Sequence, residues 1–358
     1  MVENDASPID LLENRLGRKW PSIRKANADS AKRRADLEAK FKDLSSPDTS
    51  LVVFGSVARK EVTSSSDLDW ILLIDGQSMP EHKNQEREIQ KALVAGGLTE
   101  PGSSGVFGRM VGSHDLVHNI GGEDDLNSNT TRRVLLLLES LPVGSREAFD
   151  RVRRQVLRRY LEDDRGLLYG SGNVRIPRFL LNDFTRYWRT VTVDFVYKQR
   201  AGNDKKWALR NAKLRMSRKL VFAAGLKLCF FCHLDPNAND ARKSLTGQLK
   251  DISPLIEYLE NRLTQTPLEH LAEACLEQNA STETVQRIFD NYDRFLAILD
   301  DEEKRSSLAA VSSHADLRES TVWKEIREVS RPFHTGLVSL FLSDVSDLQS
   351  LAMEYGVF

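Results

Sequence analysis

The sequence predicts an α+β fold in which a small strand-bearing core precedes a larger all-helical domain. Two apolar runs, "LVVF" (51–54) and "LDWILLI" (68–74), have turn residues on both sides, the pattern of short buried strands. From about residue 145 onward the segments carry apolar residues at three- and four-residue spacing, and none reads as a strand. A chain of 358 residues is long enough for a sizeable core and two domains. The expected division is a helical N-terminal segment over 1–44, a strand-bearing core over 45–145 and a helical domain over 146–358.

Each element has a local reason. "IDLLENRL" and "ADLEAKFKDL" show helical spacing within 8–44, and "SSPDTS" (45–50) breaks it with Pro47. The strand 51–54 then meets Gly55, after which the chain can open a short helix. "TSSSD" is a loop, and the strand 68–74 ends at Asp75-Gly76. Residues 84–96 read as helix, 97–109 as irregular and "DLVHNI" (115–120) as a third strand. "NSNTTRRVLLLLESL" (127–141) is a helix with Asn127, Ser128 and Asn129 as candidate N-caps and Pro142 beyond its end.

Composition narrows the class. With 40% hydrophobic and 29% charged residues, this is the make-up of an ordinary soluble protein. No apolar run reaches the roughly 20 residues that cross a bilayer, and the N-terminal stretch lacks an apolar signal core, so a cytoplasmic location with no membrane partner is expected. The three cysteines suit a reducing compartment. Cys229 and Cys232 form a C-x-x-C, but no second pair accompanies it, and buried helical thiols are the expected reading. The net charge of −1 hides an asymmetry: residues 1–150 carry −5, 151–220 carry +13 and 221–358 carry −9. That pattern fits one anionic ligand zone and argues against a general nucleic-acid binder.

"FGSVARKEVTSSSDLDWILLID" (54–75) holds the chemistry. Asp67 and Asp69 are two apart, which in a strand places both carboxylates on one face. Burying two carboxylates together is costly without compensation, and a divalent cation is the simplest compensation. Such oxygen ligands suit Mg²⁺, with Mn²⁺ as the alternative, in a site completed by waters and substrate phosphates. A pair of such ions can activate an attacking oxygen and stabilise a leaving one. Gly55 lets backbone approach a phosphate closely, and Ser56 can add a hydrogen bond.

The order and spacing of Gly55-Ser56 and Asp67-Leu68-Asp69 resemble the active-site signature of the DNA polymerase β-like nucleotidyltransferase superfamily. The resemblance implies a small mixed-sheet nucleotidyltransferase core, an NTP substrate, transfer of a nucleoside monophosphate to an acceptor, and pyrophosphate as leaving group. "NIGGEDDLNSNTTRRVLLLLES" and "LLNDFTRYWRT" resemble the bacterial branch that includes PII-uridylyltransferase-like, glutamine-synthetase-adenylyltransferase-like and cyclic GMP-AMP synthase-like proteins.

The superfamily's third carboxylate is expected at Asp115, with Asp124 and Asp125 as rivals. His114 and His118 flank Asp115, and as ordinary surface residues they need no metal. The superfamily commonly contacts phosphates through a helical lysine and serine. Here Lys213 and Ser217 lie four apart on one helical face, with Arg215 and Lys219 on another. Arg132 and Arg133 are further candidates for reaching the phosphates, and Tyr197 for stacking on a base. The acceptor is open: a nucleotide, a protein side chain, an RNA 3′ end or a small molecule. The competing class is a non-catalytic nucleotide- or partner-binding module, antitoxin-like or regulatory, which a missing third carboxylate would favour.

Overall fold

β1 (Thr49–Phe54) and β2 (Asp69–Ile74) form because β-branched, Leu, Phe and Trp side chains run along both with no polar face. They pair antiparallel, Phe54 opposite Asp69 and Thr49 opposite Ile74. β3 (Arg109–Gly112) joins β2 in parallel, and β4 (Ser140–Val143) joins the other side of β1 antiparallel. The result is a four-stranded mixed sheet of order β3-β2-β1-β4. The computed structural model describes residues 6–42, 44, 46–96, 105–170, 174–200, 206–246, 250–311, 316–343 and 346–356.

The two-residue period of the strands sorts their side chains between two cores. Leu51, Val53, Trp70 and Leu72 pack with Leu37 and Phe41 of α2 (Pro21–Phe41) and Ile89 and Leu93 of α3 (Pro80–Ala95). Val52, Phe54, Ile71 and Leu73 belong to a larger core on the other face. That core takes in α5 (Asn127–Leu138), α6 (Glu147–Glu162) and the helices beyond. Asp69 shares its parity with Ile71 and Leu73, so the strand directs it toward the helical part of the chain.

α1 (Pro8–Leu16) precedes α2, and α4 (Ser113–Val117) follows β3. After α6 come α7 (Arg165–Tyr169), α8 (Arg178–Arg200) and α9 (Trp207–Lys213). A π-turn (Leu214–Arg218) runs into α10 (Lys219–Leu234). α11 (Asn239–Thr246), α12 (Ser253–Arg262), α13 (Pro267–Glu277) and α14 (Thr282–Asp300) are followed by α15 (Glu302–Ala310), α16 (Asp316–Glu319), α17 (Thr321–Leu342) and α18 (Ser346–Gly356). α10 is buried around most of its circumference and is the hub of this part. Gly225 permits its approach to α8, since a Cβ there would stand 2.8 Å from the Phe184 ring. The N-terminal helices lie against late ones, α1 on α13 and α2 on α14. The larger core therefore runs without a break from the sheet into the C-terminal helices.

Four local expectations are corrected. No helix follows Gly55. Arg59 N–H donates to Gly55 O at 2.9 Å and Glu61 N–H to Ser56 O at 2.8 Å, closing tight turns that end in a left-handed Lys60 (φ 60°). Residues 115–120 are not a strand: Ser113–Val117 is a helix, which buries the adjacent Leu116 and Val117 against α5 and α6. The helix after Asn127 stops at Leu138, and Ser140–Val143 is a strand. Pro142 is tolerated there because β4 is an edge. The N-cap of α5 is Leu126, not one of the three polar residues after it. Of the irregular stretch 97–109, residues 97–104 lie outside the described residues.

Cys229, Cys232 and Cys275 are free and buried. Burial pushes the Cys232 thiol up to about 12 and Cys229 well above its ordinary value. A thiol reagent such as DTNB should therefore titrate none of these cysteines in the folded protein and all three in denaturant. Rapid reaction of one thiol under native conditions would contradict the packing of α10 and α13.

Candidate active site

The strand pairing assembles the first half of the site. Phe54 and Asp69 face each other across β1 and β2, so the turn after Phe54 lies beside the carboxylate that opens β2. Gly55 holds a left-handed φ of 75°, and a Cβ on it would stand 3.6 Å from Asp69 Oδ2. Glycine is needed for that backbone angle, and its consequence is that main chain borders the carboxylate. Asp67 lies in the loop just before β2.

The second half arrives from the far side of the chain. Lys213 ends α9, and Ser217 and Arg218 lie in the π-turn, a feature that often marks functional positions in helices. Gly55, Ser56, Asp67, Asp69, Lys213 and Ser217 line one cavity of about 60 Å³. Lys213 Nζ stands 3.8 Å from Asp67 Oδ2. Arg215 and Lys219 point elsewhere, as helical geometry requires: Arg215 donates to Asn211 Oδ1 at 2.8 Å and lies over the Trp323 ring.

The electrostatics are uneven. Burial raises the Asp69 carboxyl above the ordinary range; Arg218 opposes the rise, while Glu139 adds to it. Burial brings Lys213 down to about 8, against the pull of Asp67. Beneath them is a buried network. Arg59 donates to Glu61 and Glu139, each at 2.7 Å, and Arg218 donates to the other oxygen of Glu139 at 2.8 Å. Tyr292 O–H donates to Glu61 at 2.9 Å. Burial opposes the charge of Glu139, but the two arginines overcome it and hold its carboxyl below the ordinary range. Two carboxylates and two guanidiniums thus neutralise each other, and the pairing holds Arg218 at the cavity wall. Sequence reasoning did not single these out, although Arg59 and Glu61 sit in the stretch first noticed.

Two predicted residues are elsewhere. Asp115 follows the end of β3, whose Gly112 pairs with Ile74 at the far end of β2. Asp69 opens β2, so the length of the strand, about 16 Å at 3.3 Å per residue, separates the two positions. Asp115 instead accepts from Asn119 Nδ2 at 3.4 Å. The parallel register, continued by Gly108 N–H donating to Trp70 O at 2.7 Å, sets Phe107 level with Asp69. The Phe107 ring packs on Phe54, their centroids 5.1 Å apart. Arg132 is also outside the cavity, donating to Gly105 O and Val106 O, both at 2.8 Å.

The other candidates are structural in their contacts. Arg133 is bonded to Asp125, Asp183, Tyr160 and Asn119 O, and Asp125 also takes Arg186. Asp124 is exposed, and the His114 and His118 rings stack loosely at 5.0 Å. Tyr197 is exposed on α8, away from the cavity. Among the described residues no group of three or more His, Cys, Asp or Glu is placed to hold a metal ion, so the expected set of Asp67, Asp69 and Asp115 does not form.

Residues 35–98 match the family model described as a nucleotidyltransferase domain. The match spans the last third of α2, β1, the Gly55-Ser56 turn, Asp67, Asp69, β2 and α3, and is consistent with the polymerase β-like nucleotidyltransferase superfamily. The rest of the helical part lies outside the matched residues. No curated protein and no solved structure matches the chain. No described helix is long and apolar enough to cross a membrane.

Nucleotidyltransferase domains generally use divalent metals. The donor set fits one: two carboxylates and a hydroxyl, all hard oxygens, line the cavity beside main chain, and the half-buried Asp69 is one whose charge is poorly compensated.

Proposed function

We propose that the chain is a Mg²⁺-dependent nucleotidyltransferase that moves a nucleoside monophosphate from an NTP to a hydroxyl. The acceptor hydroxyl oxygen forms the new bond to the α-phosphorus and gives up its proton to solvent, the bond from the α-phosphorus to the bridging oxygen breaks, and pyrophosphate leaves. Asp67 and Asp69 hold the metal, which when bound supplies charge neutralisation at the reacting phosphate. Ser56 and Ser217 donate to phosphate oxygens, and Lys213 counters their charge. Within the cavity of about 60 Å³ there is room for a cation and a phosphate group. Thr63 and Leu296 also wall a second cavity, of about 300 Å³, which offers the nucleoside a place.

One observation carries this reading. A turn, a loop, a strand end and the distant junction of α9 with the π-turn bring five polar residues of matching chemistry, Ser56, Asp67, Asp69, Lys213 and Ser217, to one cavity. The helical follow-on and the acidic C-terminal region favour nucleotide second-messenger synthesis or protein nucleotidylylation over binding a long RNA, in a cytoplasmic setting.

A second reading has its own support. Phe107 occupies the level of Asp69 on the neighbouring strand, and Glu139 is consumed by two arginines. With Glu61 likewise paired to Arg59, the site has no third available carboxylate among the described residues, which suits a non-catalytic nucleotide- or partner-binding module. Incubation with each labelled NTP, Mg²⁺ or Mn²⁺ and cell extract separates the two. Transfer should release pyrophosphate and give a labelled product that is absent from the Asp67→Ala/Asp69→Ala protein. NTP binding by calorimetry with no product under any condition would establish the module instead.

A further inference from the structure

The cavity has a cation that neither the motif nor the helical lysine and serine accounts for. Arg305, on α15, lines it from the C-terminal side of the chain. It is 7% exposed, and among the described residues no carboxylate lies within ion-pair distance of its guanidinium. Its hydrogen bonds go to neutral oxygens, the Thr63 hydroxyl at 3.2 Å and the Ser65 carbonyl. Burial lowers its pKa, and the one charge opposing that is Asp67. The other guanidiniums of the cavity differ: Arg59 is matched by Glu61 and Glu139, and Arg218 by Glu139. A buried arginine without an ion-pair partner is costly, and an incoming anion would relieve it.

Its position relative to the motif is specific. Thr63 and Ser65 belong to the loop that joins the Gly55-Ser56 turn to Asp67. The same loop is tied to the end of α14, where Ser64 N–H donates to Asp300 Oδ1 at 3.0 Å and its hydroxyl to Asp300 O at 3.1 Å. Arg305 thus touches the cavity and the loop that carries Asp67 at once.

From this placement, and resting on the nucleotidyltransferase reading above, we propose that Arg305 binds the polyphosphate of the substrate NTP. Lys213 and Arg305 then oppose the phosphates from two separate helices. A guanidinium offers a planar fork of donors, so it can keep a bond to the Thr63 loop while turning others to phosphate oxygens. The charge that no protein carboxylate within ion-pair distance among the described residues offsets is the one the substrate's phosphates would balance. The residue also makes α15 part of substrate recognition, although α15 lies far outside the matched domain.

The test uses the full chain and calorimetry with Mg²⁺ and three kinds of probe: inorganic tripolyphosphate, each of the four NTPs, and the matching NMPs. Arg305→Met should weaken tripolyphosphate and the preferred NTP by about 10- to 100-fold, the range of a lost charge-assisted hydrogen bond, and change NMP affinity less than about twofold. Arg305→Lys, which keeps the charge without the fork, should fall between. Mn²⁺ affinity without nucleotide, read by electron paramagnetic resonance, should hold or tighten, because a cation near Asp67 has gone.

Wild-type tripolyphosphate affinity in both variants, beside tight NTP binding by the parent, would overturn this role and leave the transferase reading standing. Weakening of Mn²⁺ and of all nucleotides alike would also overturn it, since Arg305 would then only hold the loop. A parent protein that binds no NTP and no tripolyphosphate would remove both readings together.

Discussion

Asp69→Asn yields a folded protein with NMP transfer reduced by at least about a thousandfold, on the order of 4 kcal/mol of transition-state stabilisation. Removing the charge takes away the half-buried ligand for the cation and leaves Asp67 as the remaining carboxylate of the pair. The same change should not cost stability. Asp69 titrates above its ordinary value in the fold because burial disfavours its anion. The unfolded chain therefore loses this proton first, and stability falls as pH rises from the unfolded value, about 4, through the folded one. An asparagine escapes that loss. Melting at pH 7 without metal should place the variant at or above the parent, and the gap should close in acid. Mg²⁺ should then raise the melting temperature of the parent and not of the variant. A variant that still transfers NMP, or one that Mg²⁺ stabilises as much as the parent, would show that Asp69 is not the ligand.

What could be read from the sequence divides by the range of the interaction. Gly55, Ser56, Asp67 and Asp69 were legible because one hairpin-like pairing joins them, and the two-residue strand period says which face they share. Lys213 and Ser217 were legible through helical spacing and a resemblance. Asp115 was misplaced for a reason that spacing cannot reveal. It follows an authentic third strand, but β3 runs parallel to β2, so its C-terminal end lies away from Asp69. An antiparallel β3 would have reversed that. β4 was hidden because "LLLLESL" continues a helical pattern and Pro142 reads as a stop, whereas an edge strand accepts proline. Arg305 and Glu139 could not be recognised at all, since their roles arise where α15 and the start of β4 pack against the motif loop and the π-turn. The two central strands and the long helical continuation were readable from period, whereas the mixed character of the sheet was implied by the resemblance.

Glu139→Ala should be the most destabilising single change near the site, costing about 3 kcal/mol, because it takes the carboxylate from the half-buried Arg218 and leaves the buried Arg59 with Glu61 alone. Glu139→Gln keeps an acceptor and should cost less. Urea unfolding should show a lower midpoint at an unchanged slope. The carboxyl of Glu139 is held below its ordinary value, so its stabilisation is present above the unfolded pKa and is lost as pH falls through the folded one. The difference between parent and variant should therefore shrink in acid, the opposite pH course from a residue stabilised by protonation. Activity should change in a way that simple loosening would not produce. Glu139 precedes Ser140, which pairs with Phe54 on the strand edge opposite the one facing Asp69, and Arg218 is the main charge that favours the Asp69 anion. Without Glu139, Arg218 has a free fork beside Asp69 and competes with the cation for it. The Mg²⁺ concentration needed for half-maximal transfer should rise by about tenfold, with the rate at saturating Mg²⁺ less affected. An unchanged Mg²⁺ requirement in a destabilised variant would confine Glu139 to holding the fold, and would separate the buried ion network from the chemistry above it.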